Sequence, residues 1–104
     1  MVKKYNKLVR DKIPQIIEDQ GKTCVIRTLD TDEYKLSLEQ KLKEELNEYF
    51  ESGAMEELAD LLEVMMATAK AAGHDWQEIE NIRIQKHQAR GGFEERIALL
   101  EVSG

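Results

Sequence analysis

Apolar residues recur at helical spacing along most of the chain. Between Thr31 and Ser52, Leu38, Leu42, Leu46, Tyr49 and Phe50 fall within an arc of about 120° when each residue is turned by about 100°. From 54 to 72, Leu58, Leu61, Leu62, Met65, Met66 and Ala69 make a broader apolar face. On the same segment Glu56, Glu63 and Lys70 recur every seven residues and mark a wet face. A shorter apolar set, Ile13, Ile16 and Ile17, follows Asp11 as a candidate cap. Pro14 is tolerated in that first turn, where its missing N–H would be unpaired anyway, and Gly21 ends the segment. A fourth helix opens at Asp75, with Glu78 placed for a capping box. It carries Trp76, Ile79 and Ile82 and stops at Arg90-Gly91-Gly92. The β-branched stretch 23–29, TCVIRTL, reads as a short strand or an extended arm. The tail FEERIALLEV is apolar enough to dock on the remainder. The pattern predicts an all-α fold, a small helical bundle of about four helices, with residues 1–104 as a single domain.

Composition narrows the partners. A chain of 104 residues suits one domain with a thin core, to which association of subunits would add. The formal charge is −6 with 35% charged residues, the wrong sign for binding a phosphate backbone, so nucleic acid is not expected. No apolar run approaches the roughly 18 residues of a membrane span. The basic start MVKKYNKLVRDKIP lacks the apolar centre of a signal peptide. The one cysteine, Cys24, cannot make an internal disulfide and reads as an ordinary half-buried thiol; together these features predict a reducing, cytoplasmic setting.

Candidate chemistry is concentrated between 44 and 60, EELNEYFESGAMEELAD, which holds seven carboxylates in seventeen residues. Glu45 lies about 20° from Leu38 in projection, and Glu48 about 60° further round. Glu45 and Glu48 are three apart and therefore neighbours on the helix surface. Glu57 falls between Leu61 and Val64, and Asp60 among Val64, Ala67 and Ala71, both away from the wet face. Either pair alone would read as solvated surface. Two pairs on successive helices, each beside an apolar stripe, would repel unless a cation lay between them. A hard divalent ion answers that need: Mg2+, with Mn2+ as a substitute, takes carboxylate oxygens and leaves positions for water and phosphate.

A phosphate guest would need cations from the protein. Arg83, Lys86 and Arg90 share a projected face with Ile79 and Ile82, where each is either a phosphate ligand or a long side chain running along a core edge into water. Lys7, Arg10 and Lys12 form a second basic cluster, open to the same two readings. His74 and His87 lack metal-ligand spacing, and Met55, Met65 and Met66 read as packing.

The segments EELNE and ELAD together resemble the EExxE…ExxD signature of the MazG-like all-α nucleoside triphosphate pyrophosphohydrolases, which include phosphoribosyl-ATP pyrophosphohydrolase and the dimeric dUTPases. The opening YNKLVRDKIPQII and the closing KHQARGGFEERI are similar to those of a short, stand-alone branch, so the resemblance runs over nearly the whole chain. It implies magnesium held by Glu45, Glu48, Glu57 and Asp60, with Glu44 as the first acid of the motif, in or just outside the metal shell. Lys86 and Arg90 match the basic run that contacts phosphates. The implied reaction is hydrolysis of a nucleoside triphosphate, or a related nucleotide, to the monophosphate and pyrophosphate in a house-cleaning role. Glu44, about 40° from Glu48 in projection, is the candidate to accept the proton of the attacking water. The family builds its cleft between subunits, which implies a homodimer or a dimer of dimers. One departure is visible: eight residues separate Glu48 from Glu57, fewer than the family's usual spacer. Two alternatives stand beside this reading: phosphoribosyl-ATP hydrolysis in histidine synthesis, and a non-catalytic, metal-binding helical dimer or adaptor.

Overall fold

A computed structural model describes residues 2–104. The fold is all-α, and four helices make it up: α1 (Ile13–Asp19), α2 (Thr31–Ser52), α3 (Met55–Ala71) and α4 (Trp76–Arg90). The expected boundaries of the three long helices hold to within about one residue, and the segment 23–29 is an extended arm with no strand among the described residues.

Local chemistry explains most of the ends. Asp30 caps α2 in a full capping box: the Glu33 backbone N–H donates to the Asp30 carboxylate at 2.9 Å, while the Glu33 carboxylate accepts from the Asp30 N–H at 3.4 Å. Arg27 reaches from the extended arm to the same Glu33, at 3.0 and 2.7 Å. Gly53 closes α2 with φ of 67°, a left-handed conformation in which its N–H bonds the Tyr49 carbonyl at 2.8 Å. Two of the expected caps turn out differently. Lys12, not Asp11, occupies the cap position of α1, and no side chain caps that helix. At α4, Asp75 does accept from the Gln77 N–H, at 3.4 Å, but Glu78 turns to His74 at 2.8 Å and leaves the capping box open.

Only the Gly53–Ala54 link separates α2 from α3, so α3 folds back along α2, and this hairpin is the main packing of the molecule. A lighter contact sets α4 against α3, and no other pair of helices packs together among the described residues. The result is elongated, 65 × 32 × 23 Å. Leu38, 3% exposed, is the only buried hydrophobic residue among the described residues. Leu46, Leu58, Leu62, Met65 and Met66 line the hairpin yet remain about 40% exposed, and Phe50 is 71% exposed. The tail expected to dock lies instead in solvent: Phe93, Ile97, Leu99, Leu100 and Val102 are all more than three-quarters exposed. No helix is long and apolar enough to cross a membrane.

Candidate metal centre

The two-residue link also decides what faces what. An α-helix rises about 1.5 Å per residue, which puts Glu45 about 10 Å before the end of α2 and Asp60 about 8 Å beyond the start of α3. Folding α3 back brings these two positions to one level. Carboxylate oxygens of Glu45, Glu57 and Asp60 accordingly lie within 4.8 Å of one another, and those of Glu44, Glu45 and Glu48 form a second such group. Glu45 belongs to both, so it is the pivot that joins the two acidic motifs. The short spacer between Glu48 and Glu57 does not keep the motifs apart.

Glu45 is also the one buried charged residue among the described residues, with 7% of its surface exposed. Its Oε1 is 3.5 Å from the Lys41 ammonium, while its Oε2 is shut off from solvent and has no hydrogen-bond partner. Burial pushes the Glu45 carboxyl above the ordinary carboxylate range, and the adjacent Glu48 pushes it the same way, with a smaller contribution from Asp60; Lys41 opposes them. An acceptor in this state calls for a positive charge. Leaving it unpaired costs free energy on the order of 1–3 kcal/mol, and more when it is ionised.

Three cations already approach the acids. Arg10 donates from Nη2 to Asp60 Oδ1 at 2.7 Å and stands 4.0 Å from Glu63. Lys7 lies 3.6 Å from Glu44 Oε1, and Lys41 is 3.5 Å from Glu44 Oε2. The carboxylates of Glu44, Glu45, Glu48, Glu57, Asp60 and Glu63 outnumber these three cations, which leaves a net negative charge that a divalent ion would reduce. Beside them opens a pocket of about 310 Å³, lined by Lys7, Arg10, Lys41, Glu45 and Asp60 together with the apolar Val9 and Ile13.

The remaining candidates from the sequence are placed elsewhere. Lys12 is exposed at the start of α1 and does not line this pocket. Arg83 pairs with Glu80 one turn away on α4, which lowers the Glu80 carboxyl. Lys86 is exposed, and Arg90 borders a different pocket of about 540 Å³ with His87, Phe93 and Arg96. None of the three α4 cations lines the acidic pocket within one chain. Lys41 is the residue that the sequence reading missed. Its spacing of three and four residues before Glu44 and Glu45 was the available signal. Cys24 is half-buried beside the Pro14 carbonyl at 3.9 Å, as expected.

No family model and no solved structure matches the chain. An uncharacterized protein of Mycolicibacterium smegmatis is 56% identical over 41 residues, which is 39% of this chain and 42% of that protein. The match thus spans less than half of either chain and carries a local likeness without a function.

Proposed function

We propose that the protein is a magnesium-dependent nucleotide pyrophosphohydrolase that cleaves a nucleoside triphosphate, or a related nucleotide, to the monophosphate and pyrophosphate. The observation that carries the reading is Glu45: buried, with an unpartnered oxygen, at the junction of two three-carboxylate groups. The donor set suits magnesium, since all candidate ligands are hard oxygens. Glu45, Glu48, Glu57 and Asp60 would hold the ion. When bound, it supplies positive charge to phosphate oxygens and lowers the repulsion felt by an incoming nucleophile.

The protein's own part in this mechanism is proton transfer and orientation. Water adds to the phosphorus nearest the ribose while the bridging P–O bond to the next phosphate breaks. The bond pair leaves with pyrophosphate, and Glu44 accepts the water's proton. Lys7 and Lys41, on either side of Glu44, hold its two oxygens in place. A second copy of the chain is part of the proposal. The hairpin leaves Leu58, Leu62, Met65 and Met66 half-exposed in one continuous apolar stripe, which a homodimer or dimer of dimers would cover.

A screen of nucleotides with magnesium, reading pyrophosphate and orthophosphate separately, tests the reading. We expect monophosphate and pyrophosphate as first products, with activity abolished in Asp60→Asn. Nucleoside diphosphate and orthophosphate as first products would rule out this chemistry. Magnesium binding with no turnover of any nucleotide, phosphoribosyl-ATP included, would favour the non-catalytic metal-binding dimer.

A further inference from the structure

We infer that Lys41, together with Arg10 and Lys7 of the amino-terminal arm, forms the subsite that grips the phosphate chain of the substrate beside the metal. The inference rests on the metal centre proposed above. It differs from the resemblance, which would give that role to cations on α4.

Placement carries the first part of the argument. Lys41, Arg10 and Lys7 line the same pocket as Glu45 and Asp60, two of the candidate metal ligands, whereas Arg83, Lys86 and Arg90 do not. The side chain of Lys41 is 17% exposed, far from the open setting of a surface lysine. Its ammonium stands between Glu44 and Glu45, 3.5 Å from each. Arg10 crosses from the arm to α3 through its 2.7 Å contact with Asp60, and Lys7 crosses to α2 at Glu44. The arm is thus held over the acids by ion pairs, with Val9 and Ile13 as an apolar backing.

Charge carries the second part. Arg10 and Lys41 pair with Asp60 and Glu45, which the metal would also claim, while Lys7 pairs with Glu44. A divalent ion on those carboxylates would reduce the negative charge of the site and take over part of the partnership that now occupies Lys41 and Arg10. Lys41 and Arg10 would then face a pocket of about 310 Å³ with unused donors, and Lys7 lines the same pocket. An anion in the pocket would restore their hydrogen bonds. Arginine offers a planar fork for two phosphate oxygens, and lysine a compact point charge. A diphosphate group meets both demands. The same reasoning makes binding ordered, because a phosphate chain entering before the metal would meet an excess of carboxylates.

The probe is inorganic pyrophosphate, titrated calorimetrically into the full-length protein at a fixed excess of magnesium, and again with a chelator and no magnesium. Magnesium binding is measured on its own first. The expected results are pyrophosphate binding that requires magnesium, and a drop of at least tenfold in pyrophosphate affinity for Lys41→Met and for Arg10→Gln. Both variants should still bind magnesium. Lys43→Met, an exposed lysine on the same helix, should match the parent. Lys41→Arg should recover part of the affinity, since it keeps the charge. If the parent binds no magnesium, the metal centre itself fails and this subsite with it. If magnesium binds normally but Lys41→Met and Arg10→Gln keep parental pyrophosphate affinity, the subsite is wrong while the metal centre stands. Loss in Lys86→Met in place of Lys41→Met would move the grip to α4 and equally overturn the inference.

Discussion

Replacing Glu45 by glutamine should make the metal-free protein more stable and the magnesium-bound protein less so. The first half follows from burial. Glu45 is 7% exposed, its carboxyl is pushed upward by desolvation and then by Glu48, and Oε2 has no partner. A carboxyl whose folded pKa is raised adds stability at low pH, and that stability is lost as pH rises through the folded value. Glutamine removes the charge, keeps the volume, and can donate from its amide to Glu48. The second half follows from mass action. Magnesium at about 100 times its dissociation constant stabilises the folded state by about 2.7 kcal/mol. For a domain near this size, each kcal/mol raises Tm by about 4–8 °C, so the parent should gain roughly 10–20 °C. Loss of partners that merely orient a metal ligand costs about 10–100-fold in affinity, and removal of the shared ligand should cost at least as much. At the same magnesium concentration the gain then falls to about 1.4 kcal/mol or less. The assay is a thermal melt of parent and variant across a magnesium series, with sodium held at matching ionic strength. The two Tm curves should cross. Parallel curves, with the variant gaining as much from magnesium as the parent, would refute the placement of Glu45 in the metal shell.

Glu33 should titrate far below an ordinary glutamate. Hydrogen bonds from Arg27 and from the Asp30 backbone hold it down to about 2, so stability from this contact is complete above 4.5 and is lost as pH falls toward 2; carboxyl NMR titration should show this, and Arg27→Gln should return the midpoint toward 4.5. Leu38→Ala removes the one buried hydrophobic side chain among the described residues and should cost about 2–5 kcal/mol in urea unfolding, towards the lower end because a thin core relaxes easily. Light scattering should find a dimer or tetramer, and Leu62→Lys, placing a charge in the half-exposed stripe, should shift it toward monomer; a monomeric parent would remove the second copy from the proposal.

By itself the sequence determined the helices and the company the acids keep. Periods near 3.6 residues, the Gly53 stop and the polar starts are local signals, because a helix closes its hydrogen bonds within a few residues of itself. The same periodicity put Glu45, Glu48, Glu57 and Asp60 beside apolar stripes, and the two-residue link left the two helices little choice but to fold back on each other. Which of those acids would be shared was not legible. Projection placed Glu45 at the edge of the apolar arc, and only the tertiary packing closed water away from its Oε2. The arm was less legible still: Arg10 and Asp60 lie fifty residues apart, and no period or cap links them. The basic face of α4 and the apolar tail show the reverse failure, since both suggested contacts that depend on where the whole element lies. With α4 lightly set on α3 and nothing covering the tail, Lys86 stays outside the acidic pocket and Phe93 stays in solvent. Hydrogen bonds and helical period act between near neighbours in the chain, whereas the meeting of an ammonium with a buried carboxylate depends on the relative placement of whole elements, and that only the tertiary structure decides.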